Sequence, residues 1–448
     1  MGTPVDSAAF ALRLYRRRAV VAFHGFARRD PMALLETRPG RVEPYRLYDR
    51  MRAVGPIIPT VLGNWAATGH RVCNQVLRDR RFGVQGLGAT VGTSPTDLSF
   101  VDRDPPDHTR LRRLAAPDFS QRRVAGYRPR IEETAARLVD RAAGRGTFDL
   151  VSAIAAPLPI TVIADLLGVA GVDEAAFARY GLAIGGALDG VRSVRQGRRL
   201  VAARAEVDAI FTELVARRRR EPGDDLVSRL VAAEGREITS AELLAMCTLL
   251  LIAGFETTVN LIGNAVHALL GHPEQWALLR EDPSLAAAVV EETLRYDAPV
   301  QRAARVAHEE VEIAGALVRP NDWVITLLGA ANRDPEVYPH PDRFDITRGH
   351  GTDHLAFSSG IHYCLGASLA RLEGEVALAT IAERLDLVPA GPVSRRRSAT
   401  IRGFLRLPVA VRPHRGRSAS RPWIVGSARP WRKATDGEPG RSTRGTTR

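Results

Sequence analysis

Apolar positions recur with a helical period over most of the 448-residue chain. Residues 45–54 carry one such pattern; after a Pro/Gly break, the short apolar runs 57–61 and 66–69 read as strands, and a second helical stretch ends near Arg81. The period returns at 127–143, 158–167, 174–188 and 198–219, cut each time by Gly or Pro. The longest helical pattern opens on a capping box, Thr239-x-x-Glu242, and stops at Gly271-His272-Pro273. At ~1.5 Å per residue such a helix crosses a whole domain. Its apolar heart, 243–255, is thirteen residues long, which suits a buried helix better than a membrane span.

Beyond this helix the pattern changes. Residues 299–330 give strand-like stretches separated by Gly315 and Pro320, and 332–345 are irregular and proline-rich. A further helix is expected from 369 to 387, then short strands around Gly403. The chain therefore reads as mainly α with small β-sheets. It shows no internal repeat and no Gly-x-Gly-x-x-Gly strand–turn–helix unit. Residues 83–99, rich in Gly, Ser and Thr, read as mobile surface or as a lid over a pocket.

Charge alters this picture less than its total suggests. A formal +13 would suit a nucleic-acid binder. Residues 414–448, however, hold nine Arg or Lys against Asp436 and Glu438, so this tail carries +7 and the other 413 residues only +6. The tail, with little to bury, is expected to be disordered, and no nucleic-acid partner is expected for the body. Residues 1–30 mix apolar side chains with Arg13, Arg16, Arg17, Arg18, Arg28 and Arg29 and are expected to form a loosely packed lead-in. No apolar run there approaches the ~20 residues of a membrane span, although 16–26 set a basic patch before a short apolar run, as a signal peptide or an interfacial helix does. Three cysteines, at 73, 247 and 364, make neither a disulfide framework nor a zinc or iron–sulfur spacing, which points to a reducing cytoplasm.

Four places break local rules or gather chemistry. In Phe357-Ser-Ser-Gly-Ile-His-Tyr-Cys-Leu-Gly366, Cys364 lies just before a predicted helix N-terminus, where a thiolate is favoured; the bland alternative is a small buried hydrophobe. Within the long helix, Ala253-Gly-Phe-Glu-Thr-Thr258 puts a glycine that costs about 1 kcal/mol beside an acid and a hydroxyl, a pairing able to relay protons; the alternative is a solvent-facing Glu256 and packed threonines. His108 and Arg112 lie one turn apart and could hold a carboxylate or simply face solvent. Glu292 and Arg295 have ion-pair spacing.

Phe-x-x-Gly-x-His-x-Cys-x-Gly at 357–366, Glu-x-x-Arg at 292–295, Ala-Gly-x-Glu-Thr-Thr at 253–258 and His-x-x-x-Arg at 108–112 stand in the order found in the cytochrome P450 family. The chain resembles that family of haem-thiolate monooxygenases, its soluble bacterial branch in particular, over about residues 31–412. The resemblance implies the family's triangular-prism fold as one domain between a 1–30 lead-in and a 413–448 tail. It implies haem b (iron protoporphyrin IX), with Cys364 as proximal iron ligand and Phe357, Gly366 and Ala253 against the cofactor. His108, Arg112, Arg305 and His362 match positions that grip the haem propionates.

Glu292, Arg295 and Arg343 resemble the family's structural ion-pair network, and Thr257 with Glu256 its distal proton relay. Phe255 stands where many relatives carry histidine. Leu250, Val300, Gln301 and Phe404, with 83–99 and 169–197, are the expected substrate pocket. The implied activity is hydroxylation or epoxidation of a small hydrophobic substrate of secondary metabolism; the alternative is a haem-thiolate sensor without turnover. With no fused flavin or iron–sulfur module, electrons are expected from a ferredoxin and its NAD(P)H-dependent reductase, delivered to a cytoplasmic monomer without a transmembrane segment.

Overall fold

The computed structural model describes residues 4–88, 97–169, 171, 173–188, 191, 193–349 and 353–412. The expected disordered tail and much of the expected lid, 89–96, lie outside the described residues. The helices of eight residues or more are α1 (Pro4–Ala22), α2 (Tyr45–Arg52), α3 (His70–Arg78), α4 (Asp107–Ala115), α5 (Arg128–Ala143), α6 (Pro157–Leu167), α7 (Glu174–Gly185), α8 (Val194–Arg220), α9 (Leu226–Ala233), α10 (Ser240–Gly271), α11 (Pro273–Glu281), α12 (Ala286–Tyr296) and α13 (Ala367–Arg384). The segment expected to be a loose lead-in is thus helical, α1 running into a π-turn at Phe23–Ala27.

The strands are short. β1 (Ile57–Pro59), β2 (Trp65–Ala67), β3 (Phe82–Gly83), β5 (Ala303–Ala307) and β8 (Trp323–Thr326) form a mixed sheet in the order β1-β2-β8-β5-β3. In it β2 and β8 run parallel, and Arg305 on β5 pairs with Val324 on β8. β4 (Thr147–Asp149), β9 (Leu387–Pro389) and β12 (Pro408–Val411) make a three-stranded sheet. β6 (Val311–Ile313) with β7 (Ala316–Val318), and β10 (Ser394–Arg395) with β11 (Phe404–Arg406), make two hairpin-like pairs.

Helix α10 is the axis of the molecule. Its capping box forms as the sequence predicts: Thr239 N–H donates to Glu242 Oε2 at 2.9 Å and the Thr239 hydroxyl accepts from Glu242 N–H at 3.3 Å. It packs against α6, α7, α8, α12 and α13. Long and apolar enough to cross a membrane, it is instead mostly buried inside the protein. Gly254 at its middle is explained by packing: a Cβ there would lie 2.6 Å from Ile163 Cδ1 of α6.

Candidate functional site

The loop before α13 owes its shape to two left-handed residues, Ser358 (φ 63°) and Gly360 (φ 69°). A Cβ on Gly360 would run into the Leu77 carbonyl, so glycine is required there. Gly366, the N-cap of α13, has φ −87° and needs no special conformation. The Cys364 N–H donates to Phe357 O at 2.9 Å, which folds the loop around the sulfur. Burial pushes the Cys364 thiol up, and the Gly366 N–H and the charges of Arg112 and Arg371 pull it back. Arg371 stands 4.6 Å from the Phe357 ring centre, held by Glu291 (2.6 Å) and the Tyr363 hydroxyl (3.2 Å). Against burial, which raises it, His354 and Arg371 hold Glu291 at about 2. The sequence reading missed Arg371 and Glu291, although Arg371 follows Cys364 by two helical turns.

Facing the sulfur is a cavity of about 300 Å³ between the cysteine loop and α10. Arg112 and His362 line it. His108 packs on His362 with ring centres 4.3 Å apart and planes tilted by 50°, and Arg305 is buried close enough for its charge to depress both imidazoles. These four groups have no acid to pair with at hydrogen-bond distance: neither His108 nitrogen nor His362 Nε2 has a partner among the described residues. Among the described residues Arg112 donates only to Tyr363 O (2.6 Å) and Arg305 to Ala304 O (2.9 Å). Burial and the neighbouring Arg305, His108 and Arg112 lower His362 to about 3, and burial lowers Arg305 to about 10. Two arginines with no carboxylate at hydrogen-bond distance, beside imidazole nitrogens without partners, are complete only with an anion, and two carboxylates would satisfy them.

On the opposite wall α10 presents Leu250, Ala253, Gly254, Thr257, Thr258 and Leu261, one helical face. Thr257 points its hydroxyl back to Ala253 O at 3.2 Å. Glu256, expected beside it in the cavity, is buried behind the helix. Its carboxylate pairs with Arg396, whose Nε donates to Asn260 Oδ1 at 2.9 Å. Gly181 and Gly185 of α7 make the room for it: a Cβ on either would come within about 3 Å of the Glu256 carboxylate. Burial raises the Glu256 carboxyl and Arg396 opposes the rise. A second acid, Glu373 of α13, was not singled out from sequence. It is fully buried, neither oxygen meets hydrogen-bond geometry with a described residue, and burial lifts it to about 8, eased only by the Thr258 hydroxyl. No local motif marks it, because its isolation depends on α10 packing over α13.

The remaining expected residues divide. Arg295 clasps Glu292 through two bonds of 2.7 and 2.8 Å, and donates to the carbonyls of Asn332, Pro341 and Arg343. This fastens the proline-rich connection behind the cysteine loop. The Arg343 side chain lies outside that network, exposed and 3.9 Å from Asp345; Arg348, 3.5 Å from Glu292, is the further arginine. Leu250 and Val300 line the cavity. Gln301 does not: buried, it bonds Ala298 O (2.8 Å) and the Tyr48 hydroxyl (3.1 Å). Phe404 packs on His267 at 4.7 Å instead. Phe100, Val101, Pro299, Ala303 and Leu328 complete the apolar wall, and the described residues of 169–197 are not among those lining it.

Residues 192–411 match the family model for cytochrome P450. The chain is 40% identical over 402 residues to 6-deoxyerythronolide B hydroxylase of Saccharopolyspora erythraea, covering 84% of this chain and 98% of that protein. It is 41% identical over 398 residues to the cytochrome P450 monooxygenase PikC of Streptomyces venezuelae, covering 85% and 93% respectively. Among solved structures it superposes with a TM-score of 0.79 on P450BioI in complex with an acyl carrier protein carrying hexadec-9Z-enoic acid, at 38% identity over 84% of this chain and 99% of that one. Ligand-free CYP164A2 of Mycobacterium smegmatis gives the same TM-score at 39% identity, over 85% and 99%.

Proposed function

Because the chain belongs to the cytochrome P450 family, we propose that the cavity between α10 and α13 takes haem b, with Cys364 on its iron and His108, Arg112, Arg305 and His362 on its two propionates. The protein is a haem-thiolate monooxygenase, which uses O2 and two electrons from outside to place one oxygen atom in an organic substrate. The observation that carries the site assignment is the set of four donors with no acid at hydrogen-bond distance among the described residues, beside a partly buried thiol. That donor chemistry fits the group, since haem brings two carboxylates for the bases and a metal cation for the sulfur. When bound, haem supplies oxygen activation, which an anionic sulfur ligand favours by donating electron density.

The chain's own residues do the rest. The Gly366 N–H and the Arg112 and Arg371 charges steady the thiolate, while Phe357, pinned by Arg371, keeps water from it. Thr257 holds a water in the cavity once its hydroxyl leaves Ala253 O. Glu256 serves Thr257 with protons only when its carboxylate swings from Arg396, since it rests behind the helix. Glu373, protonated at neutral pH and set against Thr258, supports a second proton source on the cavity side of α10.

The apolar lining fits a hydrophobic natural-product intermediate, which is hydroxylated or epoxidised. For the electron donor, exposed Ile361 and Tyr363 on the cysteine loop, with exposed Arg78 against Gly360, suit an acidic ferredoxin, reduced in turn by an NAD(P)H-dependent reductase in the cytoplasm. The site assignment is tested by the carbon-monoxide difference spectrum of the reduced protein. The wild type should give the strongly red-shifted thiolate Soret band, and Cys364→Ala should lose it while keeping its far-UV circular dichroism. A red-shifted band in that variant would remove Cys364 from the iron.

A further inference from the structure

Helix α1 and the π-turn that continues it carry apolar side chains on two edges, and only one is used. Leu14, Val21, His24 and Gly25 are at least partly buried, with Gly25 set against the backbone of Ala33 and Leu34. The other edge is bare: Leu12 is 72% exposed, Tyr15 63%, Phe23 54% and Phe26 60%, with exposed Ala19 between them. Spaced by three or four residues, they form one stripe about 20 Å long. Arg16 and Arg18 flank the stripe, and Arg17, Arg28 and Arg29 stand elsewhere on the same segment; all five are exposed and none has a carboxylate partner among the described residues. Between Asp6 and Asp30 the chain has no acid at all.

We propose that this stripe docks on an anionic lipid surface, lying in the headgroup layer with its leucine and aromatic rings inserted and its arginines on lipid phosphates. A second copy of the chain fits poorly, because pairing the stripes would bring arginines together with no acid to offset them. A groove-bearing acidic protein would need directional contacts, yet this edge offers one hydroxyl, Tyr15, on a convex rod. A basic helix with a Leu/Phe face is what an interface between water and acyl chains takes up. The enzyme body would then sit on the membrane, and a hydrophobic substrate dissolved there would be supplied locally. This reading goes beyond the oxygenase assignment and does not depend on it.

The test is co-sedimentation of the full-length, haem-loaded protein with vesicles of phosphatidylglycerol or of phosphatidylcholine alone. Wild type should sediment with the first and not the second, and raising the salt should release it. Both Leu12→Ser/Phe23→Ser/Phe26→Ser and Arg16→Gln/Arg17→Gln/Arg18→Gln should bind about tenfold or more weakly, while the carbon-monoxide spectrum stays unchanged to show an intact body. Equal binding to both vesicle types, or none, would overturn the proposal. So would full binding by the apolar variant, which would move the contact to the basic 413–448 tail. A wild-type dimer that the apolar variant turns into a monomer, without vesicle binding, would assign the stripe to a second copy.

Discussion

Glu373 shows what a single residue can impose on the whole protein. The folded chain holds its proton up to about pH 8, whereas an unfolded glutamate releases it near 4.5. Folded stability therefore falls as pH rises between those values, by roughly 1.4 kcal/mol per unit at most. Glu373→Gln keeps the shape and removes the titration. The expected result is that the urea midpoint of the haem-loaded protein declines less between pH 6 and pH 8 in the variant than in wild type. Equal declines would mean that Glu373 is ionised in the fold.

The shape of the cysteine loop was legible because a backbone constraint and a chemical need fall in one short stretch: Gly360 takes a left-handed turn, and Phe357, His362 and Cys364 line the cavity. Glu256 and Glu373 were not legible in this sense. Whether the acid on α10 faces the cavity or an arginine is decided by Arg396, 140 residues further along the chain beside β10, and sequence spacing around 256 carries no word of it.

At the scale of elements, the helical period placed 127–143 and 158–167 within a residue or so of Arg128–Ala143 and Pro157–Leu167, and α10 began on its capping box. These elements are long or capped, and each buries a defined face. Pocket membership was harder. Val300 lines the cavity while Gln301, its neighbour, turns to Tyr48, because a chain leaving α12 for β5 alternates its sides. Gly254 was flagged from sequence as a broken helical rule, and its reason lies in a neighbouring helix. Gly254→Val should cost about 1–3 kcal/mol of stability by overpacking against Ile163. In an Ile163→Ala background most of that cost should vanish, which a double-mutant cycle on denaturation midpoints would read. An unchanged cost would place the need for glycine inside the cavity.

For the molecule as a whole, the proposed haem grips come from α4, β5 and the cysteine loop, segments that meet only in the finished fold. Without the cofactor, the Arg112 and Arg305 charges lie together in a poorly solvated place, where they and burial keep the two neighbouring imidazoles from taking up protons. Haem-free protein should therefore exchange amide hydrogens faster in α4, β5 and the cysteine loop than the loaded form, and α5 and α11, which contribute no residue to the cavity lining, should change little. Uniform loosening would mean that the cofactor sets the global fold and not these three segments alone.

The wide separation of those grips has a consequence for the order of manufacture. His108 and Arg112 leave the ribosome about 250 residues before Cys364, a wait on the order of ten seconds to a minute at bacterial synthesis speeds. Until the last quarter of the chain emerges, the early half of the clasp has nothing to close against. On the proposed assignment haem capture is a late event in the life of each new chain, and cells short of haem at that moment would accumulate complete but unclasped protein, exposed to their proteases.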